Sequence, residues 1–351
     1  MEIGSEFWEV ETDNLSKFTL DAPHNFFLTG RTALDYLIKE MKLYKVVKSV
    51  YMPSYCCHSM IQPFLDNGVD VEFYEVLFEN GKYTYKIDFE TTCDVIFIMQ
   101  YFGYCNEKVS ELIIKYKELG KIIIEDATHS WLSDVPYNQE SDYVFASFRK
   151  WTGLPGGAVA IKQEGQFCID GAKETNLEYI QLRKKAFFQK KQFIENGLGQ
   201  KETFLEYFNQ AEKLIEDSYQ NYNIQQDIED LISSLNFERI KEKRKQNSRY
   251  LIDGLKKFPK IETVSLEEGD VPLFVPIIVP YGRRNELHQY FINNDIYCPV
   301  HWPISDKHCL HNKFLYNNSM SIVCDQRYDL SDMKRILETL KKFVEDNLWQ
   351  K

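Results

Sequence analysis

Asp126 and Lys150 are placed where neighbouring strands of a sheet would end, and Ser147 stands three residues before the lysine. All three fall in the stretch from Lys121 to Val159, KIIIEDATHSWLSDVPYNQESDYVFASFRKWTGLPGGAV. A primary amine delivered to a sheet edge can form an imine with an aldehyde. A carboxylate beside it can keep a ring nitrogen protonated, so that the ring accepts electrons. Those two tasks together are what a pyridoxal phosphate site requires. Lys150 directly follows a buried strand, and Trp151, Pro155 and two glycines constrain the loop after it. A partly desolvated position beside the neighbouring cation Arg149 would favour the neutral, nucleophilic amine. A solvated surface lysine is the plainer alternative. Glu125 is as eligible by type as Asp126. Alternation along IIIED sends the two side chains to opposite faces, so only one can meet a cofactor. His129 could hydrogen-bond a ring hydroxyl or stack on the ring.

Other segments could complete such a site. In LTGRTAL, Gly30 lets the backbone approach a ligand, and the amides of Arg31 and Thr32 open a helix whose dipole favours an anion. Ser147 would add a hydroxyl donor to the same phosphate. His301, in PVHWP, is a candidate pocket residue from the C-terminal part. Cys298, His301, His308, Cys309 and His311 have the chemistry of zinc ligands, but their spacing fits no compact zinc motif, and no metal is expected. No G-x-S-x-G, P-loop or G-x-G-x-x-G occurs.

The elements that must hold these residues alternate between helix and strand from about Thr29. TGRTALDYLIKEMK has helical spacing in Leu34, Leu37, Ile38 and Met41. Short apolar strands are predicted at 47–52, 69–76, 93–102, 121–126 and 142–148, with GGAVAIK returning from a glycine turn. Helices are predicted at 54–65 and 107–119. Continuous apolar strands between amphipathic helices indicate a mostly parallel sheet covered on both faces, with ligands beyond the strands' carboxyl ends. Residues 170–258 read as strongly helical, with one long connecting helix over 228–257. Strands at 271–280 and 297–301 and helices at 284–293 and 330–347 follow. The expected division is a large cofactor-binding domain over 1–235, N-terminal segment included, and a small C-terminal α+β domain over 236–351 with the connecting helix.

A length of 351 residues suits two domains, and a net charge of −11 argues against nucleic acid or an anionic membrane as the main partner. The acidic N-terminus lacks signal-peptide features, and no apolar run is long enough to cross a bilayer, so a soluble, cytoplasmic protein is expected. The 8 cysteines include no C-x-x-C pair and read as reduced thiols.

Taken together, LTGRTAL, VYMPSYCCHSMIQPF, DVIFIMQYFGY, IIIEDATHS, FASFRKWTGLPGG and IYCPVHWP resemble the DegT/DnrJ/EryC1/StrS sugar aminotransferases, which are fold-type I pyridoxal phosphate enzymes. The resemblance covers most of the chain in the family's order. It implies that Gly30, Arg31, Thr32 and Ser147 hold the phosphate and that Asp126 pairs with the pyridine nitrogen. His129 falls where the family usually has a glutamine, and Lys150 would form the imine and shuttle the proton. It also implies a homodimer with active sites at the interface. Three features depart from the family. Serine and lysine stand two residues closer than in its usual S-F-H-x-x-K. Cys57 falls where an aromatic usually stacks on the ring, leaving Tyr55, His58 or His129 to cover that face. No counterpart of the second subunit's asparagine is evident in 197–223.

The implied function is transfer of an amino group, with glutamate as donor, to a keto sugar, nucleotide-linked or not, for cell-surface polysaccharide or related biosynthesis. The alternatives are a sugar dehydratase of the same family, a cysteine desulfurase using Cys56 or Cys57, and a non-catalytic binding or regulatory homologue. Arg283, Arg284 and Arg327 are candidate anchors for a substrate anion.

Overall fold

The computed structural model describes residues 2–13, 18–303 and 312–346. Strands β1 (Ile3–Gly4) and β2 (His24–Phe27) precede helix α1 (Gly30–Tyr44). Next come β3 (Ser49–Pro53), α2 (His58–Asp66), β4 (Asp70–Glu79), β5 (Lys82–Lys86), β6 (Val95–Met99) and α3 (Lys108–Glu118). β7 (Ile122–Asp126), β8 (Tyr143–Ser147) and β9 (Ala158–Lys162) end this half. Strands β2 to β9 form one sheet in the order β2-β9-β8-β7-β6-β3-β4-β5. Its five middle strands, β8, β7, β6, β3 and β4, are parallel. β9 and β5 run against their neighbours.

Every residue of β6, β7 and β8 is buried, which their unbroken apolar sequences require of strands covered on both faces. Helix α1 covers one face with Ala33, Leu34, Leu37, Ile38 and Met41, and Thr29 caps its start by accepting the Thr32 N–H.

Helices α4 (Leu177–Asn196), α5 (Lys201–Asp217), α6 (Gln226–Ser233) and α7 (Phe237–Leu255) follow. The C-terminal part comprises β10 (Glu262–Thr263), β11 (Val275–Ile278), α8 (Arg284–Ile292), β12 (Ile296–Tyr297), α9 (Phe314–Asn318), β13 (Ser319–Ile322) and α10 (Leu330–Asp346). β10, β11 and β13 make an antiparallel sheet. The architecture is the expected one, a mostly parallel sheet covered by helices with a smaller C-terminal α+β part.

Four local features differ from expectation. The single helix over 228–257 is two helices: Asn236 caps α7 through the Arg239 N–H, and its own N–H bonds Glu11 O. Strand β5 was not predicted, although Asn80 and Gly81 both take positive φ, as a tight hairpin requires. The strand expected at 297–301 is confined to Ile296–Tyr297, because Pro299 offers no N–H to extend it. Instead β12 pairs in parallel with β1, so the first residues of the chain pack on its C-terminal part. One hydrophobic cluster runs from the large sheet (Val50, Ile96, Ile123) to the small one (Ile277, Ile322) and on to Ile336 of α10. No helix of the described residues is long and apolar enough to cross a membrane.

Candidate active site

The carboxyl ends of β7 and β8 open into a cavity of about 620 Å³, whose lining includes Gly30, Arg31, Asp126, His129, Ser147, Lys150 and His301. Asp126 is 2 % exposed, and its Oδ1 accepts the Thr128 N–H at 2.8 Å. Burial raises its pKa to about 6 against the opposing pull of Thr128 and of the Lys150 charge. Glu125 takes the opposite face, as alternation demands. Its Oε2 accepts the Asn138 N–H and the Ser141 hydroxyl, each at 2.8 Å, outside the cavity. Of the two acids, only Asp126 lines it.

Lys150 ends a short 3-10 turn, Phe148–Lys150, that leaves β8. The turn is fixed by its neighbour: Trp151 Nε1 donates to Thr128 O at 2.7 Å, and Trp151 O accepts from Gln326 at 2.8 Å and Arg244 at 3.3 Å. Thr128 Oγ1 also accepts the Ser147 N–H at 3.1 Å, stapling the ends of β7 and β8 together. Among the described residues no hydrogen bond or ion pair occupies the Lys150 amine. Two parts of the sequence argument change here. Lys150 is exposed, so the described residues of one chain do not desolvate it. The Arg149 guanidinium turns to Glu212, 3.2 Å away, and to the Tyr179 hydroxyl, so its charge is balanced there and not spent on Lys150.

The test for a phosphate group lies between Gly30 and Ser147. The Ser147 Oγ is buried with no hydrogen-bond partner among the described residues. A Cβ on Gly30 would stand 3.4 Å from Ser147 Cβ, so a side chain there would narrow the gap. An unmatched hydroxyl, a missing side chain and the start of a 15-residue helix fit a phosphate. Arg31 lines the same end, its side chain donating to Ile215 O at 3.1 Å. The sequence assignment of Thr32 to the phosphate is not supported: its hydroxyl donates to Tyr219 O at 2.6 Å, its N–H to Thr29 Oγ1 at 3.2 Å, and it lies outside the cavity lining.

His129 is 5 % exposed, and burial holds its pKa well below the usual histidine range, with His301 and Lys150 adding to the effect. Its Nδ1 accepts the Phe102 N–H at 3.3 Å, so the neutral ring carries its proton on Nε2. Phe102 makes this possible with a positive φ of 57°. Gly103 follows it, where a Cβ would meet Val271 O at 2.0 Å.

His301 reaches the cavity from the C-terminal part, with Nδ1 3.0 Å from Ser321 Oγ and its pKa lowered to about 3 by burial and Lys150. Tyr55 and His58 do not line the cavity; the Tyr55 hydroxyl donates to His301 O at 2.7 Å from behind it. Trp302 does line it, its plane 16° from that of His129. Cys57 also lines it. The sequence carried a signal for Trp302 in PVHWP.

The lining also includes Glu6, Arg183, Glu212, Arg244, Asp325 and Arg327, most of which sequence reasoning missed because they are remote in the chain. Of the three proposed anion anchors, Arg283 and Arg284 lie outside the cavity, and Arg327 is engaged by Asp325 through two contacts of 2.8 Å. Among the described residues there is no cluster able to hold a metal; His308, Cys309 and His311 lie outside the described residues. Among the described residues no cysteine, Cys56 and Cys57 included, is in a disulfide.

No protein-family model matches the sequence, and no curated protein matches it. Solved structures match its fold. A putative sugar aminotransferase from Streptococcus pneumoniae, in its PLP form, has a TM-score of 0.69 at 12% identity, covering 99% of each chain. A DegT DnrJ EryC1 StrS aminotransferase from Brucella abortus has a TM-score of 0.60 at 15% identity, covering 91% of this chain and 85% of the other. DesI, solved in the presence of its TDP-sugar product, has a TM-score of 0.64 at 12% identity, covering 90% and 79%. The likeness is one of fold: the chain has the architecture of the fold-type I sugar aminotransferases over nearly its whole length.

Proposed function

We propose that this protein is a pyridoxal phosphate-dependent aminotransferase that moves an amino group from glutamate to a keto sugar, nucleotide-linked or not. The observation that carries the reading is the meeting of Asp126 and Lys150 in one cavity beside the unmatched Ser147 hydroxyl. The fold shared with sugar aminotransferases, one of them in a PLP form, supports it.

When bound, the cofactor supplies an aldehyde and an electron-accepting ring. Gly30, the Arg31 amide and Ser147 would hold its phosphate. Asp126 would hold a proton at the ring nitrogen; its buried carboxylate gains a cationic partner there, which offsets the cost of its ionisation. His129 would donate from Nε2 to the ring hydroxyl. Lys150 would bond to the aldehyde carbon and, once released, carry the proton between substrate and cofactor carbons. His301 and Trp302 would form the substrate side of the pocket.

The chain would act as a homodimer, a reading supported by the exposure of Lys150, which a second subunit would cover. The Lys150 amine weighs against a dehydratase, which in this family has histidine there, and against a non-catalytic homologue. Cys57 is held as the N-cap residue of α2 and Cys56 is fully buried, which weighs against a desulfurase.

Purified protein given pyridoxal phosphate should show a visible band that moves to shorter wavelength when glutamate is added. A band that forms but is indifferent to every amino donor would sink the transamination reading. The same sample sedimenting as single chains would remove the dimer from it.

A further inference from the structure

The first residues of the chain form part of the cavity wall and are held at both ends. At one end β1 pairs with β12, and the Gly4 N–H donates to the Tyr328 hydroxyl at 2.7 Å. At the other, Glu9 O accepts the Gly153 N–H at 3.1 Å. Between them Arg327 donates to Ser5 O at 3.2 Å and to Glu6 O at 3.1 Å, and Lys190 donates to Glu6 O at 2.5 Å. These contacts fix the backbone of the strap without using the Glu6 side chain.

That side chain is 47% exposed and faces the cavity. It receives one hydrogen bond, from Arg183 Nη2 at 3.2 Å. Burial opposes its charge, but Arg183, Lys150, Arg149 and Lys190 outweigh burial and lower its pKa to about 2, so the carboxylate is ionised near neutral pH. Arg183 itself is 3% exposed, and its second terminal nitrogen lies 3.5 Å from Glu212.

An amino donor brings a carboxylate that needs a cation. Among the described residues, the guanidinium groups lining the cavity are already engaged. Arg244 donates to Leu273 O at 2.8 Å and to Gln326 at 3.0 Å, Arg327 is locked bidentate to Asp325, and Arg149 is paired with Glu212. Arg31 donates to Ile215 O at 3.1 Å and lies beside Gly30, at the end proposed for the phosphate. The Arg183–Glu6 pair is held less firmly: its acid is half exposed, its one hydrogen bond is 3.2 Å long, and, unlike Arg149 with the Tyr179 hydroxyl, Arg183 has no second hydrogen-bond partner among the described residues. A free carboxylate arriving at Arg183 could exchange for Glu6 without leaving the buried guanidinium unpaired, the step that would otherwise be costly.

We propose that Arg183 is the anchor for the amino donor's carboxylate, and that the Glu6 carboxylate is a built-in occupant of that anchor which the donor displaces. This rests on the aminotransferase reading for the identity of the ligand, but the anchor can be tested without catalysis. Glutarate, a dicarboxylate with no amine, is the probe, and calorimetry on the full chain, with and without pyridoxal phosphate, is the readout.

Glu6→Gln removes the competing charge while the strap keeps its backbone contacts, so glutarate should bind about ten-fold tighter than to the wild type. Arg183→Lys keeps a charge but loses the fork, and should bind about ten-fold more weakly. Thermal melts confirm that both variants fold. Unchanged or weaker binding to Glu6→Gln, or no binding to any form, overturns the proposal. If glutarate behaves as expected but no cofactor loads, the aminotransferase reading fails and the anchor stands. If glutamate shifts the visible band but Glu6→Gln binds glutarate no better than wild type, the anchor fails and the reading stands.

Discussion

The Asp126 carboxyl group is held away from water, with the Thr128 N–H and the Lys150 charge as its compensation in the cofactor-free protein. Its pKa, about 6, lies above the unfolded value near 4. Folding is therefore favoured while the group is protonated, and that advantage is lost as pH rises from about 4 through about 6. Cofactor-free Asp126→Asn keeps an oxygen for the Thr128 N–H and has nothing to ionise. It should be more stable than wild type at pH 8 by about 2–3 kcal/mol, with the gap closing near pH 4. Urea unfolding at the two pH values measures this; an equal gap at both contradicts it. Yet the variant should retain pyridoxal phosphate poorly, because the acid that destabilises the empty site is the one meant for the ring nitrogen. Asp126, Ser147 and Lys150 were legible in the sequence because each sits at a strand end or one turn beyond it. Alternation said only that one of Glu125 and Asp126 could face a cofactor; the family resemblance chose Asp126, which is the one that lines the cavity. Glu6 and Arg183 were not legible, since nothing local marks two residues brought together from separate elements.

At the level of elements, the site depends on turns more than on strands. The strands β6, β7 and β8 announced themselves by unbroken apolar runs, and the sheet edge at which they deliver their ends followed from parallel pairing. What escaped was short-range chemistry at the element ends: the Asn236 cap that divides the predicted long helix, and the Asn80–Gly81 hairpin. The approach of the N-terminal strap to the loop after Lys150 was equally invisible. A Cβ on Gly153 would meet Glu9 O at 2.3 Å, backbone against backbone. Gly153→Ala should thus cost about 1–3 kcal/mol, the range for forced overpacking, and should loosen the strap. Urea unfolding gives the first quantity, and limited proteolysis near residue 9 gives the second. Wild-type stability with a strap as protected as before would show that the contact is not a constraint.

Across the whole molecule, the N-terminal strap and the C-terminal part meet at the cavity. β1 lies beside β12, and Arg327 ties Ser5 and Glu6 to the C-terminal part. The layered architecture was readable from the alternation of elements, and the hydrophobic cluster that joins the two sheets was not, because side-chain periodicity says which face is buried but not against what. The account stands or falls on one covalent partner. Protein loaded with pyridoxal phosphate, reduced with borohydride and digested should carry the cofactor's mass on the peptide containing Lys150, and Lys150→Ala should carry none. A label on another lysine, or no label on the wild-type protein, would contradict it.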